Sequence, residues 1–419
     1  MIVARLALQS LWSRWLTAIL TVAAISFSVM LFLGVEKVRD GARSSFSNTI
    51  SGTDLIVGSR AGSIQLLLYS VFRIGNATAN ITWESFEDIK SRPEVAWTIP
   101  ISLGDSHRGF RVMGTTGDYF EFYQYRRHKK LTFQSGHPFE DIFDAVLGSD
   151  VADTLGYQLG DPIIVSHGLG TLGLSKHDDK PFRVAGILNK TGTPLDRTVH
   201  VSLEAIEAIH LDWQGGARIP GRSISAGQVR RLKLQPRSIT AALIGTKSKL
   251  RIFSLQRFVN TYREEPLTAI LPGVALQELW QLMGTAEIAL TAVSAMVVVT
   301  ALLGMITMIL TNLNERRREM AILRSVGAGP RTIFSLLMTE AGILTTIAVL
   351  VGCILLYAGL FAVQSTIDAK YGLFIEIDPP AFRELAILAG IIVTGFVAGL
   401  LPALRAYRMS LSDGMMIRN

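Results

Sequence analysis

Chemistry in this chain is confined to three groups of residues. Seven histidines, His107, His128, His137, His167, His177, His200 and His210, share one polar region. His177, Asp178 and Asp179 are adjacent, and His167 lies close before them. Imidazole and carboxylate groups bind zinc when three or four converge, so these four are candidate metal ligands. No H-x-H or H-E-x-x-H spacing accompanies them. A second group, Glu315, Arg316, Arg317 and Glu319, mixes both charge signs just ahead of Met320, Leu323 and Val326. Those apolar residues recur at helical spacing, and ion pairs around an apolar stripe are the chemistry of partner docking. Glu340 is the third, a carboxylate inside an apolar run. Exposed to lipid it would be costly, so it should face a helix interface, a polar cavity or the cytoplasmic boundary. Structural pairing, for example with an arginine of the nearby 311–331 segment, is expected rather than substrate contact.

No G-x-x-x-x-G-K-[ST] phosphate loop is present, and Gly245-Thr246-Lys247-Ser248 lacks its spacing. No nucleophile–base or paired-carboxylate motif stands out. The chain reads as non-catalytic, with no cofactor of its own. Its single cysteine, Cys353, can form no internal disulfide and no thiol metal site.

The elements that must position these groups are set by hydropathy. Hydrophobic residues make up 49% of the 419, and mean hydropathy is +0.36, above that of ordinary soluble domains. The excess lies in four stretches, Trp15–Val35, Ile288–Leu313, Ile333–Val363 and Leu385–Leu404. Each is long enough to cross a hydrocarbon core of ~30 Å as a helix. The expected architecture is a membrane α-helical protein with four transmembrane helices in a one-plus-three layout. A large α+β domain is inserted between helices 1 and 2.

The net charge of +7 points to a membrane surface rather than to nucleic acid. Arg5 and Arg14 precede the first span. Arg316, Arg317, Arg318, Arg324 and Arg331 lie between the second and third, and Arg405, Arg408 and Arg418 follow the fourth. The positive-inside rule makes those flanks cytoplasmic, with both termini inside and the large domain outside. Lys37, Arg39 and Arg43 run against the rule. The first span is too long for a signal-peptide core and reads as an uncleaved anchor.

The expected divisions are a cytoplasmic amphipathic helix over 1–14, spans over 15–35, 285–313, 333–363 and 385–404, and an outer domain over 36–284. A cytoplasmic helix occupies 314–332, a short outer loop 364–384 and a tail 405–419. Helical stalks are expected at both ends of the outer domain. Within it, residues 82–92 read as a Thr-capped helix and 149–156 as a helix with a Ser or Asp cap and a Gly stop. Strands are expected over 110–114, 162–165, 182–187 and 198–201, and a Gly-rich loop over 214–227. Gly284, Gly304, Gly352 and Gly359 are candidates for close helix packing.

Residues 315–328 carry a resemblance. Glu315, Arg316, Glu319, Met320, Ala321, Ile322, Leu323, Arg324, Ser325, Val326, Gly327 and Ala328 are similar to the pattern E-R-x-x-E-I-G-I-L-R-A-[LIV]-G-A. That pattern marks the FtsX/MacB-type permeases, the type VII ABC transporter superfamily that includes LolC and LolE. Ala321 and Ser325 replace the usual Gly and Ala. Residues 402–416 resemble the family's closing motif, with Ser412, Asp413 and Gly414 departing from it. Val112–Thr115, Leu147-Gly148, Val151-Ala152, Phe182–Leu188 and Asp196 resemble the MacB periplasmic core.

The resemblance implies a bacterial inner-membrane permease without a fused ATPase. Glu315, Arg316, Arg317, Glu319, Met320, Leu323, Arg324 and Gly327 would form a coupling helix. It would seat on a cytoplasmic ABC ATPase, which binds ATP and Mg. It also implies a second permease chain, a homodimer being the simpler case. Cargo, whether lipoprotein, lipid, peptide or small compound, would be handled on the periplasmic side by mechanotransmission, with a periplasmic protein or lipoprotein as a further partner. The alternatives are an FtsX-like regulator of periplasmic enzymes and a permease of a zinc-linked transport system.

Overall fold

The structure is a computed structural model, and it describes residues 2–126, 128–167, 179–214, 217–218, 224–315, 322–371 and 377–408. The chain divides into two units. One holds the apolar helices. The other is built chiefly from residues 42–283.

The apolar unit contains a short helix Ile2–Trp12 and four long ones, Trp15–Asn48, Pro272–Glu315, Pro330–Tyr371 and Phe382–Arg408. Each long helix includes a segment apolar enough to cross a membrane: Trp15–Gly41, Pro272–Thr311, Pro330–Gln364 and Phe382–Tyr407, with mean hydropathy between 2.3 and 2.5. Trp15–Asn48 and Pro272–Glu315 run well past their apolar cores. Residues 42–48 and 272–283 of these helices belong to the other unit. The bundle core joins Ile25 and Val29, Leu302 and Met305, Leu337 and Ala341, and Leu388 and Ile391.

With lipid outside the bundle, helices associate by close packing and by hydrogen bonds rather than by burying grease. Ser26 donates its hydroxyl to the Ala348 carbonyl at 2.9 Å. At Gly352 an added Cβ would lie 2.8 Å from the Ser26 carbonyl oxygen, so the first and third helices touch there backbone to backbone. A Cβ at Gly395 would strike Thr345, fixing the third helix against the fourth. Gly359 makes an ordinary contact with Met30, whereas nothing lies within 4 Å of a Cβ at Gly284 or Gly304.

In the other unit, among the described residues, eleven strands join one sheet. We number them β1 Leu55–Ser59, β2 Val95–His107, β3 Phe110–Thr115, β4 Phe133–Gly136, β5 Asp144–Leu147, β6 Pro162–Ile163, β7 Ser166–His167, β8 Phe182–Leu188, β9 Thr198–Ser202, β10 Ala241–Thr246 and β11 Leu267–Ile270. The order is β11-β1-β10-β2-β3-β9-β5-β8-β4, with β7 beside β2 and β6 beside β8. The pairings β3–β9 and β5–β8 are parallel. Strand β2 bridges two half-sheets, since its first half pairs with β10 and its second with β3.

Both faces are covered, which explains strands that read as continuous apolar runs. Ile56, Ile99 and Leu243 enter one core with Leu66 and Leu67 of helix Ser63–Ser70 and Tyr119 of helix Asp118–Phe122. Leu55, Val57 and Ile244 enter another with Phe86 of helix Trp83–Lys90 and Leu255 of helix Ile252–Asn260. A third core joins Val112, Leu147 and Val184 to Val151 of helix Ser149–Leu155 and Ile209 of helix Leu203–His210.

Thr82 caps helix Trp83–Lys90, accepting from the Ser85 amide. Helix Ser149–Leu155 differs from expectation: its N-cap is Gly148, with no side-chain cap, although Gly156 closes it at φ 70°. Ser149 and Asp150 lie one step inside. Within the expected 214–227 loop, Ala226–Val229 is a helical turn with a Ser225/Gln228 capping box.

Candidate coupling segment and the helix bundle behind it

Residues 322–325 are helical, and the chain leaves them through a defined stop. The Gly327 amide donates to the Arg324 carbonyl at 3.1 Å, and the Ala328 amide to the Leu323 carbonyl at 2.9 Å. This pair of bonds is the Schellman closure, which needs a left-handed residue at its pivot. Gly327 supplies it at φ 101°, an angle a side chain would resist. Pro330 then opens the helix Pro330–Tyr371, where its missing N–H costs nothing. Gly327 to stop one helix and Pro330 to start the next make a sharp, defined corner.

The corner leaves apolar surface in the open. Val326 is 83% exposed and Ile322 55% exposed, one helical turn apart. Leu323 and Arg324 are half-buried. Ile322 is the residue a stripe of Met320, Leu323 and Val326 passes over, although its i, i+4 spacing to Val326 was available in the sequence. Arg316, Arg317, Glu319 and Met320 lie outside the described residues, and Glu315 is described only as the last residue of its helix.

Glu340 lies one face into the bundle and is buried. Ser10 of the helix Ile2–Trp12 donates its hydroxyl to the Glu340 carboxylate at 2.8 Å. The intramembrane carboxylate therefore ties the N-terminal helix to the third long helix.

At the far end of that third helix stands an ionic clasp. Lys37 Nζ is 3.2 Å from the Glu384 carboxylate, the side chains being 11% and 9% exposed. The neighbouring pair has the opposite order of charge: Glu36 meets Arg383 at 3.7 Å and also pairs with Arg39. Tyr357 donates its hydroxyl to the Asp378 carbonyl at 3.2 Å, and Lys37 reaches the same carbonyl at 3.4 Å. Glu384 also caps its own helix, accepting from the Ala381 amide at 3.1 Å. Lys37 and Arg39, which run against the positive-inside pattern, are thus matched by carboxylates.

A cleft of about 600 Å³ lies between the first and second long helices, lined by Thr17, Thr21, Ala24 and Ser28 on one side and Ala301 and Gly304 on the other. Its hydroxyls bond within their own helix: Thr17 to Arg14, Thr21 to Thr17 and Ser28 to Ala24. Backbone carbonyls satisfy them, so the cleft presents mainly methyl and methylene surface.

The metal candidates do not assemble into a described site. His177 and Asp178 lie outside the described residues, and His167 is described only as part of β7. Asp179 pairs with Lys180 at 3.2 Å, and Lys180 meets Asp212 at 2.6 Å with both side chains fully buried. Among the described residues, no three His, Cys, Asp or Glu side chains gather as a metal site would require. His107 bonds the Ile164 carbonyl and the Tyr157 hydroxyl at 2.7 and 3.0 Å. His200 bonds the Val146 carbonyl at 3.1 Å and packs on the rings of Tyr119 and Phe120. Burial, helped by the charge of Arg73 and opposed by the Val146 bond, pushes the His200 pKa down to about 3.

Four long apolar helices, one before and three after a mixed domain, have the length and composition of a multi-pass membrane protein. Comparison with known proteins agrees. The MacB-like periplasmic core domain family model matches residues 18–240, and the FtsX-like permease C-terminal model matches residues 291–411. The chain belongs to the MacB-like periplasmic core domain family and is an FtsX/MacB-type ABC permease. The macrolide export ATP-binding/permease protein MacB of Nitrobacter winogradskyi is 22% identical over 420 residues. That match takes in 97% of this chain and 59% of the relative, so the chain spans about three-fifths of the relative's length. Among solved structures, the periplasmic region of MacB from Actinobacillus actinomycetemcomitans is 11% identical, with a TM-score of 0.34, covering 55% of this chain and 94% of that one. The extracellular domain of the noncanonic ABC-type transporter YknZ from Gram-positive bacteria is 15% identical, with a TM-score of 0.31, covering 52% and 99%. The family-model matches, rather than these two structures, carry the assignment.

Proposed function

We propose that this chain is the transmembrane subunit of an ABC transporter and that it turns ATP hydrolysis into movement of its periplasmic domain. ATP and Mg are bound by a cytoplasmic ATPase subunit on a separate chain. The observation that carries this reading is the corner at 322–328. It is closed by Gly327, tipped by exposed Ile322 and Val326, and followed directly by a long helix. A defined corner on a stiff rod is a lever. An ATPase that grips the corner displaces the rod without bending it.

The gripping surface extends through Glu315, Arg316, Arg317, Glu319, Met320, Leu323 and Arg324, with ion pairs setting the register around the apolar contact. Residues 314–332 and both termini are cytoplasmic, in keeping with the arginine-rich flanks. Ser10 and Glu340 carry the N-terminal helix Ile2–Trp12 along with the third long helix, and the clasp at Lys37 and Glu384 ties the first long helix to the fourth. The long extensions of Trp15–Asn48 and Pro272–Glu315 serve as stalks. Two copies of the chain form the working permease. Cargo is a lipoprotein, lipid, peptide or small compound handled on the periplasmic side; the relative's name, macrolide export, is in keeping with a small compound.

Cross-linking tests the grip. A cysteine at Val326, in a Cys353→Ala background, should form a zero-length or short cross-link to the co-expressed ATPase subunit, and the yield should change with ATP. A cysteine at Thr394, on an exposed face of the fourth helix, should form none. Equal yields from both positions would remove the corner from the coupling role.

A further inference from the structure

Arg73 stands where a glycine would be ordinary. The helix Ser63–Ser70 runs out into a left-handed residue, and the Ile74 amide donates back across it to the Leu68 carbonyl at 3.0 Å. Helix ends of this kind usually turn on glycine, which has no Cβ to resist. Here the residue is arginine at φ 60°. A strained position that carries a charged side chain points to a task for that side chain.

The Arg73 guanidinium meets only neutral atoms. Its Nη1 donates to the Ser70 carbonyl and its Nη2 to the Met113 sulfur at 2.7 Å, a weak acceptor. Its Nε is buried and has no acceptor among the described residues. Arg111 lies two residues before Met113 on β3 and shares its face. It too spends its donors on neutral oxygens, the Asn76 side-chain oxygen at 2.9 Å and the Gly75 carbonyl at 2.7 Å. Burial, and after it the charge of Arg73, holds the Arg111 pKa below its ordinary value. The loop 73–76 thus brings two arginines within reach of each other's charge, and among the described residues neither pairs with a carboxylate.

The carboxylate of that region is committed elsewhere. Asp196 lies near enough to act on the same Tyr119 hydroxyl as Arg73. It is held instead by the Thr191 amide and hydroxyl at 2.8 and 2.7 Å and by the Gly192 amide at 2.7 Å. Two like charges left unmatched and partly out of water are unfavourable, and an anion between them relieves both costs.

We propose that Arg73 and Arg111 form a binding site for a small oxyanion, a phosphate or carboxylate group, on the 73–76 loop. Guanidinium groups grip both anions through paired N–H donors. Both side chains are half-buried, shielded in part from water yet open to a solute. The site lies wholly within the sheet unit, so the inference is independent of the membrane spans and of the ATPase reading.

The test is calorimetric titration of the full chain, purified in a neutral detergent at low ionic strength, with inorganic phosphate and with succinate. Wild type should bind at least one of them, and the tighter one tells a phosphate ligand from a carboxylate ligand. Arg73→Gln and Arg111→Gln should each weaken that binding about tenfold or more. Arg257→Gln, at an exposed arginine of the helix Ile252–Asn260, should leave it unchanged. Should a Gln variant fail to fold, wild type alone decides: the bound anion should slow phenylglyoxal modification of Arg73 or Arg111 several-fold, read by peptide mass spectrometry, and leave Arg257 as reactive as before. A folded wild type that binds neither anion would overturn the proposal. So would binding that survives both Gln variants, or equal slowing at all three arginines, which would mean general screening by the salt.

Discussion

Gly327 holds the corner in a backbone conformation that a Cβ opposes, so Gly327→Ala should cost about 1 kcal/mol or slightly more locally. Its melting temperature in detergent should hardly move, because the corner is exposed and little is packed on it, while ATPase activity of the assembled transporter should fall. A large drop in melting temperature with activity preserved would contradict that. His200 predicts a pH dependence. The fold holds its imidazole neutral, with a pKa near 3, whereas the unfolded chain takes up the proton below about pH 6.5. The unfolded state binds more protons throughout that window, so stability is lost as pH falls from about 6.5 toward 3. At pH 5 the loss attributable to this one group is about 2 kcal/mol. His200→Leu should be less stable than wild type at neutral pH, having lost the Val146 bond, yet melt with a shallower acid slope. Parallel slopes for the two proteins would remove His200 as the source.

Elements are held by charge pairs where they meet, Lys37–Glu384 buried on both sides and Glu36–Arg383 buried only at Glu36. The crossed pairs Lys37–Glu384 and Glu36–Arg383 join the first long helix to the fourth. Breaking a buried pair leaves one charge unmatched and typically costs about 3–5 kcal/mol. Lys37→Glu and Glu384→Lys should each lower the melting temperature of the detergent-solubilised chain by many degrees, and the double swap should recover much of the loss. A double variant no better than the worse single would mean that the clasp does not join the helices. In the domain, Lys180 and Asp212 are fully buried against each other. Asp212→Leu alone should be more damaging than Lys180→Met/Asp212→Leu together, since the single variant leaves the fully buried Lys180 with Asp179 only, whereas the charge the double variant leaves behind, Asp179, reaches solvent. The sequence shows why such pairs are hard to foresee. Glu36 and Lys37 carry no mark of Arg383 and Glu384, because the partners meet only once the fold exists. Likewise Asp54 gains its meaning from β10, whose Thr246 bonds it through amide and hydroxyl. Of the glycines packed between the third and fourth helices, Gly395 and Gly399 stand at the G-x-x-x-G spacing of close helix packing and could be read from the sequence, whereas Gly342 is isolated like Gly284 and Gly304, which meet nothing. By contrast, the Thr82 cap, the Gly156 stop and the Gly327–Pro330 corner are local chemistry and can be read residue by residue.

For the whole molecule, hydropathy alone conveys four apolar helices around an inserted domain, because membrane length is a hard constraint on sequence. The order of the sheet is not legible that way: β1 and β11 are adjacent though they open and close the domain, and only pairing reveals it. If arginine flanks set the orientation, a cysteine at Leu250 should react with a membrane-impermeant maleimide added outside intact cells. One at Val326 should react only after the membrane is opened. The reverse pattern would invert the assignment of sides. The central claim is that the 322–328 corner joins this permease to an ATPase on another chain. The most direct measurement is co-purification of the tagged chain from its native membrane with an ABC ATPase subunit, for wild type and for Ile322→Asp/Val326→Asp. A stable complex that hydrolyses ATP, lost in the double variant while the permease itself stays folded, is the predicted result. A folded wild-type chain that captures no ATPase, or a double variant that captures it as well as wild type, would contradict the account.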